Sequence, residues 1–73
     1  MKEVTYKITK KIAVLSEEKG GWKTELNEVS WNGKEPKFDI RRWNEDHTKM
    51  GKGLTLTKEE AKALQAALKE EMK

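Results

Sequence analysis

Trp31-Asn32-Gly33-Lys34 leads through Glu35 and Pro36 into Lys37-Phe38-Asp39-Ile40-Arg41-Arg42-Trp43. The Asn-Gly pair is a hairpin signal, because both residues tolerate the positive φ angles that a tight turn between strands needs. After it, Phe38 and Ile40 alternate with Lys37, Asp39, Arg41 and Trp43. A period of two puts the first pair on one face of a strand and the other four on the opposite face. One side is apolar and the other carries charge and an indole. That pattern specifies an antiparallel sheet with one covered face and one open face.

Upstream, a strand runs from about Trp22 to Trp31, after a Gly20-Gly21 turn. Before that turn Tyr6, Ile8, Ile12 and Val14 fall at even positions, which predicts a first strand with these four on a shared face. Downstream, Asn44 to Lys49 is a polar loop. Gly51-Lys52-Gly53 reads as a turn entering a short strand that ends in Leu54-Thr55-Leu56, or as backbone that could approach a phosphate. Thr57 and Glu60 have capping-box spacing. Ala61, Leu64, Leu68 and Met72, with Ala67 beside them, recur at helical intervals over about 58–72. The expected fold class is α+β: four antiparallel strands over about 5–56, then one C-terminal helix, in a single domain spanning 1–73.

A chain of 73 residues buries only about 60% of the surface its unfolded form exposes, and such domains often need a staple. There is no cysteine, and the lone histidine, His47, cannot build a zinc site, so no disulfide or metal is expected. Four strands span roughly 19 Å, whereas a helix is about 10–12 Å across, so one helix covers half of one sheet face. Ala63 and Ala66 offer a small, flat surface on the helix. Packing two copies through their helices covers both, so a homodimer is expected. The longest apolar run, Ile12-Ala13-Val14-Leu15, is far shorter than a membrane span, and a cytoplasmic location is expected.

The net charge is +3, and residues 58–73 are balanced with four lysines and four glutamates, so the basic excess lies outside the C-terminal helix. Three tryptophans lie among those cations. Aromatic rings stack on unpaired bases, and interleaved Lys and Arg meet phosphates. The candidate nucleic-acid-binding residues are Lys7, Lys11, Trp22, Trp31, Lys34, Lys37, Arg41, Trp43, Lys49 and Lys52. Trp22 is read as either core or binding surface. Trp43 is expected on the open face, exposed, and His47 in the polar loop is expected to be exposed as well. No nucleophile–base pair or spaced carboxylate set is present, so neither catalysis nor a cofactor nor a small-molecule substrate is expected. The expected ligand is single-stranded DNA, with single-stranded RNA as a further option. The alternative is a small interaction domain that docks a polypeptide on its aromatic sheet face.

The order Trp31-Asn32-Gly33-Lys34, Phe38 to Trp43, and Gly51-Lys52-Gly53-Leu54-Thr55-Leu56-Thr57-Lys58-Glu59-Glu60 resembles the transcriptional positive cofactor four family, above all its small bacterial members of the YdbC type. The likeness covers about residues 21–68. It implies a β-β-β-β-α protomer, a homodimer joined through the helices, and sequence-tolerant binding of single-stranded DNA across the strands. It implies a nucleoid-associated protein of bacteria, acting in transcription or DNA maintenance. It also places Trp31, Lys34, Arg41 and Lys52 at the nucleic acid. Trp43 lies one place from the family's aromatic position. Ala61 stands where many members carry a helix tryptophan, and the loop before Gly51 is short and lacks proline.

Overall fold

The computed structural model describes residues 4–73. The strands are β1 (Tyr6–Glu17), β2 (Lys23–Trp31), β3 (Lys37–Trp43) and β4 (Met50–Leu56), followed by α1 (Lys58–Glu71). They form one sheet in the order β1-β2-β3-β4, each strand antiparallel to its neighbour. The fold class is as expected from the alternation. Among the described residues, no helix is long and apolar enough to cross a membrane.

The turns have local causes. Gly20 and Gly21 adopt φ of 86° and 85° in a short 3-10 turn, Lys19–Gly21, between β1 and β2. Asn32 and Gly33 both have positive φ, 52° and 73°, and the Lys34 N–H donates to the Trp31 carbonyl at 2.9 Å. The hairpin is nonetheless wider than two residues. The β2–β3 ladder begins only at Val29 opposite Lys37. Pro36 has no N–H to contribute just before that point, and the Ser30 hydroxyl instead donates to the Lys34 carbonyl at 2.6 Å.

Register assigns the faces. On β2 and β3, Glu25 pairs with Arg41 and Asn27 with Asp39, whereas Leu26 pairs with Ile40 and Glu28 with Phe38. Leu26, Phe38, Ile40 and Leu56, with Leu15 from β1, border a groove of about 480 Å³ against Ala61, Leu64, Gln65 and Leu68 of α1. The helix starts as its sequence dictates: the Thr57 hydroxyl accepts from the Glu60 N–H, and the Glu60 carboxylate accepts from the Thr57 N–H. It contacts β3 and β4, yet none of its residues is buried.

Two expectations need refinement. Tyr6, Ile8 and Val14 do share a face, opposite Trp31, Val29 and Glu25 of β2, but not through a regular period of two: β1 has three register shifts, and Ile12 lies at one of them, between Lys11 and Ala13. Bulges of this kind strengthen the twist of an edge strand and reset which side chains face which side. Gly51-Lys52-Gly53 lies inside β4, not before it. The strand begins at Met50, and the β3–β4 ladder shifts register between Arg41 and Trp43.

Candidate nucleic-acid interface

The face of the sheet away from α1 carries Tyr6, Trp31 and Trp43. Tyr6 on β1 meets Trp31 at the end of β2 with ring centroids 6.0 Å apart, and meets Trp43 at the end of β3 at 5.3 Å. Both contacts are tilted, as aromatic quadrupoles prefer. Trp43 is wholly buried, so the exposed Trp43 read from the sequence is overturned. The cause is cover from two elements far away in the chain. Tyr6 packs on one side and His47 on another, 5.6 Å from the indole. A buried ring offers no face to a base; Trp43 is the floor on which the other rings rest.

His47 is likewise not the exposed loop residue expected. Its backbone has a left-handed φ of 60°, and its carbonyl accepts from the Tyr6 hydroxyl at 2.9 Å. Its Nε2 lies 2.9 and 3.0 Å from the two oxygens of Glu25. Glu25 is buried and also accepts from the Asn27 amide at 3.0 Å. Burial pushes the Glu25 carboxyl up. The hydrogen bonds from Asn27 and His47, with the positive charges of His47 and Lys11, outweigh it and hold the group below its ordinary 4.5. The loop that presents His47 closes on itself: Asn44 and Lys49 exchange hydrogen bonds, and Asp46 accepts from the Thr48 hydroxyl and N–H.

Arg41 occupies the centre of the open face. Its guanidinium carbon lies 4.8 Å from the Trp31 ring centroid. Nε donates to Asp39 Oδ1 at 2.7 Å and Nη2 to Asp39 Oδ2 at 3.0 Å, a two-point pair that fixes the plane of the guanidinium. Nη1 reaches the Gly51 carbonyl at 3.4 Å and Met50 Sδ at 3.6 Å. Asp39 is completely buried and also accepts from the Thr55 hydroxyl at 2.9 Å. Gly53 lies opposite Arg41. A Cβ there would overlap the Arg41 Cβ and stand 2.8 Å from its Nε, so only glycine lets the side chain cross β4. Val4, Tyr6, Trp31, Arg41, Met50 and Thr55 together line a shallow cleft of about 410 Å³.

The sequence-derived candidates separate into groups. Trp31 and Arg41 are half-buried in this cleft, and Lys11 and Lys37 lie on the same face, opposite Asn27 and Val29. Lys34 is exposed in the turn after Trp31, Lys49 in the loop after Trp43, and Lys52 at the β4 irregularity. Lys7 pairs with Ser30, one place out of phase with Tyr6 and Trp31, and so belongs to the other face. Trp22 stands apart from the aromatic cluster. The Arg42 guanidinium covers it at 5.1 Å, and the two Glu18 carboxylate oxygens hold that guanidinium at 2.7 and 2.9 Å. Arg42 pairs with Thr24, so this group falls on the helix side of the sheet by alternation. Tyr6, Met50, Thr55 and Asp39 were missed as site residues. For Tyr6 the one available signal was its aromatic character, and for Asp39 its place two residues before Arg41 on the same strand face; only the register brings Met50 and Thr55 to Arg41.

The family described as transcriptional coactivator p15 (PC4) matches residues 18–67, which takes in β2, β3, β4 and most of α1. An uncharacterised protein of Treponema pallidum (strain Nichols) is 48% identical over 63 residues, covering 86% of this chain and 74% of that protein. With more than half its length matched, including every strand that builds the Arg41 site except β1, the chain belongs to the transcriptional coactivator p15 (PC4) family.

Proposed function

We propose that this chain binds single-stranded DNA, without strong sequence preference, as a homodimer, and that it serves transcription or DNA maintenance. The observation that carries the reading is the Trp31–Arg41–Tyr6 cleft on an open sheet face in a member of a family that binds single-stranded DNA. Bases stack on half-buried planar groups at about 1–3 kcal/mol each. Lys11, Lys34, Lys37, Lys49 and Lys52 supply the surrounding cations for phosphates. Trp43 and Trp22 support the fold beside the site, and Lys7 stands behind the sheet.

The other face supports the dimer. Among the described residues the buried apolar side chains are Val29, Trp43 and Leu56, whereas Leu15, Leu64 and Leu68 stay exposed along the groove under α1, and Leu54 stays exposed opposite Ile40. Exposed apolar surface gathered on one face marks an association site. A second copy presenting the same leucine stripe of α1 is self-complementary to it, as a twofold interface requires.

Titration with oligonucleotides, followed by tryptophan fluorescence, tests the function. Quenching by single-stranded DNA and much weaker binding of duplex of the same sequence are expected. A peptide-docking domain would show no response to any oligonucleotide. Equal affinity for single strand and duplex would eliminate base stacking as the mechanism. The same titration with RNA ranks the two single-stranded ligands.

A further inference from the structure

Arg41 looks at first like a phosphate contact, a cation in the middle of a binding face. Its surroundings argue otherwise. The Arg41 side chain is 14% exposed, and the charge of its guanidinium is met at two points by the fully buried carboxylate of Asp39. Thr55 holds the second oxygen of that carboxylate in place. Nη1 is turned toward the Gly51 carbonyl. What remains is a flat group held over the Trp31 indole, its carbon 4.8 Å from the ring centroid, with both side chains lining the cleft.

We propose that Asp39 is a positioning residue that converts Arg41 from a phosphate-binding cation into a neutralised, planar stacking surface layered on Trp31. The proposal rests on the single-strand-binding reading above and says how one of its central residues works. Thr55 and Gly53 belong to the same device: Thr55 fixes the carboxylate, and Gly53 leaves room for the arginine stem to cross β4. A guanidinium held in this way contributes through its face, because it is planar and weakly hydrated. Its charge is already compensated, so docking a strand on it displaces few counterions. Phosphate neutralisation is left to the exposed lysines.

Stacking and charge are separable by a conservative change. Arg41→Lys keeps the positive charge and loses the plane. If Arg41 acts by stacking, this variant binds an oligothymidine about tenfold more weakly at low and high salt alike, with the log–log salt slope unchanged. Asp39→Asn releases the arginine charge to the solvent-facing site. The slope then steepens by about 0.7 for each phosphate newly engaged by Arg41, while affinity at high salt falls because the plane is no longer held. A carboxylate with a merely structural role would change the unfolding midpoint without moving the slope. If Asp39→Asn does not fold, as circular dichroism will show, Arg41→Lys alone decides the question. Wild-type affinity in folded Arg41→Lys, or an unchanged slope in folded Asp39→Asn, overturns the role of Asp39 while binding itself stands. A wild-type chain that binds no oligonucleotide refutes the function and this role together.

Discussion

Replacing Leu64 and Leu68 by lysine tests the association of two chains through α1. The two leucines are 37% and 48% exposed in the protomer. Full burial of a leucine side chain contributes about 1.5–3 kcal/mol, so covering the exposed part of each contributes about 1 kcal/mol. Two leucines in each of two protomers then give about 4 kcal/mol, which is roughly a thousandfold in the dimer dissociation constant. Four lysine charges forced into the same interface raise the cost further. A lysine at either position of an isolated protomer would remain in water and cost little. Light scattering coupled to size exclusion reads the result directly: a dimer mass for the wild type at micromolar protein, and a single-chain mass for the double variant. Circular dichroism gives a second reading. α1 has 14 residues, none buried within its own chain, and isolated helices of about 12–15 residues are marginal in water. Loss of the partner should therefore lower the helical signal as well. A single-chain mass for the wild type, or a double variant that remains as dimeric as the wild type, refutes the helix-to-helix arrangement.

Other consequences concern the open face. Trp31→Ala should weaken oligonucleotide binding by about 1–3 kcal/mol at every salt concentration, with the salt slope nearly unchanged, as measured by fluorescence anisotropy of a labelled strand. Lys52→Ala should instead flatten the slope by about 0.7, or about twice that if both protomers engage one strand. Trp43→Ala should destabilise the fold by about 3–5 kcal/mol in urea unfolding, because it empties the floor beneath Tyr6 and His47; a small effect would mean that the ring is not buried. Glu25 has a folded-state pKa below its ordinary 4.5. Its contribution to stability is thus complete above that pH and is lost as the pH falls through the folded value. The difference in urea midpoint between wild type and Glu25→Gln should shrink below pH 4.5, and a difference that grows on acidification would contradict the sign.

Wherever the pattern was local, the residue order alone set the elements and their faces. Alternation from Lys37 to Trp43 separates Phe38 and Ile40 from Asp39 and Arg41, and the observed register keeps that division. Thr57 and Glu60 set the start of α1 through bonds between residues three apart, and Asn32-Gly33 and Gly20-Gly21 bend the chain through their own φ angles. Each of these depends on neighbours within a few residues. The exposure of Trp43 does not. It depends on Tyr6, 37 positions earlier, being carried over it by pairing of β1 with β2, and on a loop folding His47 back onto Glu25. The three bulges of β1 were equally out of reach, because no residue type marks them, although Tyr6, Ile8 and Val14 keep one face through them. The tertiary structure also decided what kind of group Arg41 is. Asp39 and Arg41 share a face by alternation alone, but a buried carboxylate that cancels the arginine charge arises only once Thr55 and Gly53 of β4 are docked beside them. Burial and charge compensation are properties of what surrounds a side chain, and here the surroundings come from strands distant in sequence.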